Sequence, residues 1–228
     1  MDGTGRNGAG SGAAGGETVS IVIVARDAAA LLPGSVAAVL AQTPPPHEII
    51  VVDDGSRDAL AAVTRRLPVR TLHDGRRGTA AARNAGLRCA RGELVLFLAA
   101  GDRLPPGTLA ALTAALRDDP AAVMAGAAGP LPDGAILWRR AALAGAGGFR
   151  AAAGPALDLD AALRLGRGRT TAASSGQGAP GLGALRGRCL RAALRSLLAH
   201  DARAAWTLAG SVAASLALPG RTVLPTGS

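Results

Sequence analysis

The segment Val-Val-Asp-Asp-Gly-Ser at residues 51–56 is the part of the sequence with the clearest chemical potential. An apolar run ends there in two carboxylates, Asp53 and Asp54, followed by a turn-forming Gly-Ser pair. Ligands of open parallel sheets bind at the carboxyl ends of the strands, where a carboxylate can accept hydrogen bonds from a nucleobase N–H or from sugar hydroxyls. The alternative is an ordinary loop in which Asp54 caps the following helix. The segment therefore predicts either a ligand contact or a helix cap.

Several common kinds of site are not indicated by the sequence. No Ser/His/Asp or Cys/His set is evident, no Walker phosphate loop is found, and the glycines within residues 145–148 do not form a dinucleotide fingerprint after a strand. The two cysteines do not make a disulfide framework and are not spaced as metal ligands, which favours a reducing compartment. The three histidines are interpreted as surface residues; they are His47, His73 and His200.

The elements that must position the strand-end residues follow from the hydrophobic pattern. Between residue 18 and about residue 116, short β-branched apolar runs alternate with segments of helical periodicity, as in a parallel sheet covered by helices on both faces. The predicted strands are residues 19–24, 48–52, 69–72 and 93–98, and the crossover helices are residues 31–42, 58–67 and 79–90. Further on we expect a helix at 106–117, strands at 121–127 and 135–138, and helices at 139–145 and 156–165.

Four motifs along residues 19–106 resemble, in order and spacing, those of the family 2 glycosyltransferases. The motifs are Val-Ala-Arg-Asp at 24–27, Val-Val-Asp-Asp-Gly-Ser at 51–56, Gly-Thr-Ala-Ala-Ala-Arg-Asn-Ala-Gly at 78–86, and Phe-Leu-Ala-Ala-Gly-Asp-Arg-Leu-Pro-Pro at 97–106. The likeness extends more weakly to about Arg164. It implies an α/β fold with a mostly parallel sheet flanked by helices, of the nucleotide-diphospho-sugar transferase type. It also implies transfer of a sugar from a nucleotide-diphosphate donor to an acceptor hydroxyl, with inversion.

The resemblance implies a set of nucleotide-binding residues. Asp54 and the segment Ala25, Arg26 and Asp27 would line the base pocket, and Arg83 would lie near the nucleotide. A guanidinium at that position can offset diphosphate charge with paired hydrogen bonds. The alternatives for Arg83 are a solvated helix residue or an ion pair with an aspartate at a strand end.

The resemblance also implies a catalytic carboxylate. The family has a Glu-Asp pair at the start of a helix that deprotonates the acceptor hydroxyl, and here Leu157-Asp158 keeps the aspartate. Asp158 is therefore the candidate general base. The alternative is that Asp158 and Asp160 simply favour the helix N-terminus electrostatically.

The acceptor side is expected near the Gly-Gly-Phe segment. Gly147 and Gly148 would permit close backbone approach, and Trp138 or Phe149 would offer an apolar face to a sugar or lipid. Core packing beside a tight turn is the other interpretation of these aromatic residues.

The expected metal site departs from the family pattern. The resemblance implies a divalent cation, Mn or Mg, held by a Leu-Asp-x-Asp-Asp strand end, but Ala99 and Gly101 stand where the first two carboxylates belong. Asp102 is the remaining candidate ligand, and one carboxylate is a poor site for a hard cation that wants several oxygens. A His that many relatives carry is also missing from residues 170–177. The alternative function is therefore a catalytically degenerate nucleotide-sugar-binding or partner-binding module.

Charge and composition suggest how the chain is divided. The formal net charge is +9, none of the 25 basic residues is Lys, and residues 182–228 hold six Arg against Asp201 alone. We predict a disordered leader at 1–17, a glycosyltransferase-like nucleotide-sugar-binding domain at 18–175, a linker at 176–183 and a basic amphipathic helical tail at 184–228.

The tail suggests an anionic membrane surface as a partner. Its Arg residues lie opposite leucines, it lacks the interleaved aromatics of a nucleic-acid site, and so no nucleic acid is expected. The apolar run at 204–218 is too short to span a bilayer. We expect a cytoplasmic protein attached peripherally to the inner face of the membrane, with a lipid-linked or glycan acceptor. A basic surface-binding protein in which the tail carries the function is a further interpretation.

Overall fold

The computed structural model describes residues 17–127, 135–165 and 169–173. The strands are β1 Val19–Ala25, β2 Glu48–Asp53, β3 Arg70–His73, β4 Leu94–Ala99, β5 Ala122–Ala127, β6 Ile136–Arg139 and β7 Arg169–Ala173. The α-helices are α1 Leu32–Leu40, α2 Leu60–Thr64, α3 Thr79–Cys89, α4 Thr108–Asp118, α5 Arg140–Gly145 and α6 Leu157–Leu165. A 3₁₀ helix, Ala151–Ala156, lies between α5 and α6.

The seven strands form one sheet in the order β3-β2-β1-β4-β6-β5-β7. The first four in this order are parallel, β6 is antiparallel to β4 and β5, and β7 is parallel to β5. The prediction of an α/β fold with a mostly parallel sheet flanked by helices is confirmed. Because β1 to β4 are parallel, their carboxyl ends share one edge of the sheet, which we call the carboxyl edge.

Two apolar layers explain why the central strands are continuous hydrophobic runs. Ile21 and Ile23 of β1 pack in one cluster with α1 and α4, whereas Val22 packs in the other with α3 and α6. A strand covered on both faces buries every side chain and not alternate ones. Helix α3 lies flush on the sheet, since a Cβ added at Gly86 would come within 2.3 Å of the Val22 side chain.

Most predicted boundaries lie within one or two residues of the observed ones, and three elements differ by more. Helix α2 covers five residues where the sequence predicts 58–67, because the Asp58 carboxylate accepts the N–H of Leu60 and so closes a turn before the helix. The 3₁₀ helix and β7 are not predicted from the sequence. Strand β7 reads Arg-Thr-Thr-Ala-Ala and is defined by pairing with β5, a partner more than 40 residues away in the chain.

Much of the predicted domain organisation falls outside the described residues. This holds for the linker at 176–183, the tail at 184–228 and all of the leader at 1–17 except Glu17, whose carboxylate pairs with Arg139. Those assignments stay predictions. Among the described residues, no helix has the length and apolar character needed to cross a membrane.

Candidate active site

The carboxyl edge is held together by backbone hydrogen bonds between the ends of its strands. Ala25, Asp53 and His73 lie in one row across β1, β2 and β3. The N–H of Asp54 donates to the carbonyl of Ala25 at 2.9 Å, and the N–H of Asp74 donates to the carbonyl of Asp53 at 2.9 Å. The side chains that follow these strands are therefore fixed close to one another.

Asp54 is the most buried of the predicted nucleotide-binding side chains that carry a charge, with 3% of its surface exposed. One carboxylate oxygen accepts the N–H of Gly78 at 3.0 Å, and the other lies 3.7 Å from Nη1 of Arg26. Gly78 is the residue that precedes α3. Asp54 thus holds the residue that precedes α3, whereas the α2 that follows it in sequence has Ala59 at its N-cap position and no side-chain cap.

Ala25, Arg26 and Asp27 lie beside Asp54, as the sequence predicts. Ala25 is buried, and Asp27 has a positive φ of 48°. The Asp27 carboxylate accepts the N–H of Arg57 at 2.6 Å and lies 3.7 Å from Nη2 of Arg76. Ala25, Arg26, Asp27 and Asp54 form one group, which we call the Asp54 cluster. Whether it contacts a nucleotide stays a prediction.

Asp53 stabilises the loop that follows β2, next to the Asp54 cluster. Its carboxylate accepts the N–H of Ser56 at 2.8 Å and lies 3.3 Å from Nδ1 of His73. Burial acts to raise the pKa of Asp53, but the hydrogen bonds from Ser56 and the contact with His73 outweigh it and lower the pKa below its ordinary value. His73, interpreted from the sequence as a surface residue, has 66% of its side chain exposed and still contacts this carboxylate.

Arg83 and Asp158 meet directly, although they are 75 residues apart in sequence. Nη1 of Arg83 donates to Oδ2 of Asp158 at 2.8 Å, and the side chains are 16% and 27% exposed. The guanidinium also lies over the rings of Phe149, at 5.1 Å, and Phe97, at 5.8 Å. Arg83 therefore forms an ion pair, but its partner lies at the start of α6 and not, as the alternative interpretation expects, at a strand end.

The Gly-Gly-Phe turn is held from both sides. Asn84 of α3 donates to the carbonyl of Phe149 and accepts its N–H, both at 2.8 Å. Arg164 of α6 donates to the carbonyl of Gly148 and is paired with Asp160. Gly148 has a φ of +66°, and a Cβ there would lie 2.3 Å from Oδ1 of Asn84, so this turn requires glycine.

Trp138 corrects one prediction. Its side chain is fully buried in β6, where it makes an edge-to-face contact with Phe149 at 6.4 Å between ring centroids. Its indole nitrogen has no hydrogen-bond partner within the described part of the chain. An enclosed ring cannot present a face to an acceptor, so Trp138 is a core residue in this structure. Phe149 is likewise buried.

A cavity of about 270 Å³ lies between the start of α3 and the segment that leads into α6. Its walls are residues 77–80 on one side and Ala151, Gly154 and Leu157 on the other. Arg77 is held at this wall by an ion pair with the buried Asp74. The cavity therefore has Gly78, which Asp54 holds, on one wall and the residue before Asp158 on the other.

The described residues do not fit the divalent cation that the family pattern implies. Oδ2 of Asp102 accepts the N–H of Ala99 at 2.7 Å, so this carboxylate closes the turn after β4. Ala99 and Gly101 offer no side-chain oxygen, and Gly101 has a φ of +108° that disfavours any other residue. No group of three or more His, Cys, Asp or Glu in the described ranges could hold a metal ion.

The roles of four residues of this site are not predicted from the sequence. Asn84, Arg164, Asp74 and Arg77 each fix a turn or a wall of the cavity. Asn84 and Asp74 lie in or next to the motif at 78–86, so their position beside it is the signal that could have found them. The spacing of Arg164 from Asp160 predicts their ion pair within α6, but nothing local predicts the bonds of Arg164 to the backbone carbonyls of Ala146 and Gly148.

Comparisons with known proteins agree with the fold. The model of glycosyl transferase family 2 matches residues 20–162. S. aureus TarS 1–349 in complex with UDP is 17% identical with a TM-score of 0.60, over 71% of this chain and 59% of that one. The mannosyltransferase PcManGT from Pyrobaculum calidifontis, in complex with GDP-Man and Mn²⁺, is 20% identical with a TM-score of 0.57, over 88% of this chain and 81% of that one.

A third solved structure gives the same result. Mannosyl-3-phosphoglycerate synthase from Rubrobacter xylanophilus is 20% identical with a TM-score of 0.57, over 80% of this chain and 74% of that one. The chain spans 59% of the length of TarS 1–349. No curated protein matches the sequence. At these identities the likeness establishes a shared fold.

Proposed function

The chain belongs to glycosyl transferase family 2, and on that premise we propose that it transfers a sugar from a nucleoside-diphosphate donor to an acceptor hydroxyl. The donor nucleotide binds at the carboxyl edge, where open α/β sheets bind their ligands. Asp54 accepts hydrogen bonds from the base, with Arg26 and Asp27 beside it. The sugar then lies toward the cavity at the start of α3.

The chemical step uses Asp158 as general base. The carboxylate accepts the proton of the acceptor hydroxyl as its oxygen attacks the anomeric carbon. The bond between that carbon and the diphosphate oxygen breaks, and its electron pair leaves with the nucleoside diphosphate. Attack from the face opposite the leaving group inverts the anomeric configuration. Gly147 and Gly148 border the acceptor side, where the turn is held by Asn84 and Arg164.

One observation supports this assignment above the others. The cavity lies between residues that adjoin the two predicted parts of the site, since Gly78 on one wall is hydrogen-bonded to Asp54 and Leu157 on the other wall precedes Asp158. A donor bound by Asp54 can therefore extend toward the base. The residues of the β4 turn supply no cation site, so no step of this proposal depends on a metal.

The test is release of nucleotide from two probe donors, UDP-GlcNAc and GDP-mannose, with water as the acceptor. These are donors with which TarS and PcManGT have been solved. Asp158→Asn should lower the rate by about 100-fold or more while leaving the Kd for UDP or GDP unchanged. Asp118→Asn, which alters an exposed carboxylate of α4, is the matched control. Rates should be equal in Mn²⁺ and in EDTA.

Two outcomes would contradict the proposal. Equal rates for wild type and Asp158→Asn would remove Asp158 as the base. A rate that disappears in EDTA would show that a cation binds in spite of the closed turn at Asp102.

A second candidate function is a nucleotide-sugar-binding module without efficient transfer. Two observations favour it. The Asp102 carboxylate closes a turn, and Ala99 and Gly101 replace the two other carboxylates of the family pattern. Calorimetry separates the two functions. A protein that binds UDP or GDP but releases none from either probe donor is the binding module.

A further inference from the structure

We propose that Arg83 is a positioning residue that orients Asp158, and not a ligand of the donor nucleotide. The proposal rests on the proposed function, because it assigns Arg83 a role toward the general base of that reaction. It replaces the role that the family resemblance implies for Arg83.

The guanidinium of Arg83 is held by contacts within the protein. Nη1 donates to Oδ2 of Asp158 at 2.8 Å, and the guanidinium carbon lies 5.1 Å and 5.8 Å from the ring centroids of Phe149 and Phe97. A cation over aromatic faces is attracted by their negative charge density, so the two rings and the carboxylate together define its place.

The aromatic support is itself rigid. Phe97 and Phe149 are buried and meet edge to face at 4.9 Å with planes at 85°. The backbone N–H and carbonyl of Phe149 are both hydrogen-bonded to Asn84, the residue next to Arg83. Adjacent residues of α3 therefore hold the acceptor-side turn and the base.

Only a small part of the Arg83 side chain is open to a ligand. Its side chain is 16% exposed, and Nε is buried without a partner in the described part of the chain. A donor that displaced Asp158 from Nη1 would leave a carboxylate unpaired. Among the described residues, the ion pair and ring contacts of Arg83 are with Asp158, Phe97 and Phe149, and none is with the Asp54 cluster.

Asp158 has the complementary arrangement. Its side chain is 27% exposed. Within residues 17–127 and 135–165, the polar partner of this carboxylate is Arg83, which donates to Oδ2 and leaves Oδ1 without a hydrogen bond. Oδ1 is thus available to accept the proton of an acceptor hydroxyl. Holding one oxygen and leaving the other free fixes the direction of proton transfer, which is how pre-organised groups accelerate a reaction.

The experiment compares Arg83→Gln with Arg88→Gln, a matched control that changes an exposed arginine of the same helix. Nucleotide release from the probe donors, the Kd for UDP and GDP, and thermal unfolding are measured for each. Arg83→Gln should lower kcat by on the order of 100-fold with KM and Kd within about twofold of wild type. Arg83→Lys should recover part of the loss. Combining Arg83→Gln with Asp158→Asn should give no further loss beyond Asp158→Asn.

Each result that contradicts these expectations leads to a different conclusion. A Kd weakened about tenfold or more by Arg83→Gln would make Arg83 a nucleotide ligand and overturn the proposal, while the transferase function stands. Additive losses in the double variant would also overturn it. Absence of release by the wild-type protein would overturn the proposed function and this role together. If Arg83→Gln does not fold, Arg83→Lys replaces it, and an unchanged kcat then overturns the proposal.

Discussion

The carboxylates of the carboxyl edge each take part in folding, and Asp54 is also the proposed ligand of the nucleobase. Asp54 holds the start of α3, Asp53 holds the loop at Ser56, and Asp102 closes the turn after β4. A buried carboxylate costs free energy unless it is hydrogen-bonded, so these contacts allow the buried carboxylates of Asp53 and Asp54 to remain charged there. Substitutions at Asp54 are therefore expected to change stability and nucleotide affinity together.

Asp53→Asn should make the pH dependence of stability shallower. Because the pKa of Asp53 is lowered in the folded protein, its ionised form stabilises the fold at pH values above its ordinary pKa of 3.8. That stabilisation is lost as the pH falls through the lower folded-state value. Urea unfolding should thus show Asp53→Asn less stable by about 1 kcal/mol at pH 7, with the difference shrinking below pH 3.8. A difference that is constant across this range would contradict the assignment.

At the scale of elements, α3 organises the site. From its first residues onward it is attached to the Asp54 carboxylate through Gly78, to Asp158 through Arg83, and to the Gly-Gly-Phe turn through Asn84. Gly86 allows α3 to pack closely on β1, and this short distance between the helix and the sheet determines where these contacts form. Any shift of this helix would move the nucleotide side and the base together.

The Gly-Gly-Phe turn allows a paired test of this arrangement. Gly147 and Gly148 both have positive φ values, of 83° and 66°, so alanine at either position costs about 1 to 2 kcal/mol in backbone strain. A Cβ at Gly147 meets nothing within 4 Å, whereas one at Gly148 would lie 2.3 Å from Asn84. Gly148→Ala should therefore lower the free energy of unfolding more than Gly147→Ala, as measured in urea. Equal losses would mean that Asn84 does not hold the turn.

At the scale of the whole molecule, charge is distributed unevenly along the sequence. Residues 182–228 account for +5 of the formal net charge of +9. Within the described residues, arginines at the carboxyl edge are paired with aspartates, as in Arg26–Asp54, Arg76–Asp27 and Arg77–Asp74. Positive charge is thus densest in the C-terminal part of the sequence, since residues 1–181 carry the remaining +4, and attraction to an anionic surface is expected to be strongest there.

We propose on this basis that residues 184–228 attach the protein to anionic membrane. Each Arg near such a surface contributes about 1 kcal/mol, which gives weak and reversible binding. In vesicle co-sedimentation, binding should rise with the fraction of anionic lipid, fall with added salt, and disappear when residues 184–228 are deleted. Binding that is equal with neutral vesicles would contradict an electrostatic role of the arginines.

The sequence by itself determined the central strands, most of the helices and the carboxyl edge. Continuous apolar runs specify strands buried on both faces, and parallel strands bring their carboxyl ends together whatever the details of packing. For this reason the pattern of residues alone places Ala25, Arg26, Asp27 and Asp54 together. The family could also be recognised, because its motifs are local and lie at these strand ends.

Only the tertiary structure decided which side chains face one another. Three contacts depend on how α3, α6 and β6 pack against the sheet: the pairing of Arg83 with Asp158, the hydrogen bond from Gly78 to Asp54, and the burial of Trp138. Strand β7 likewise exists through its pairing with β5. Hydrophobic periodicity records which face of an element is buried, but it carries no information on which distant element covers that face.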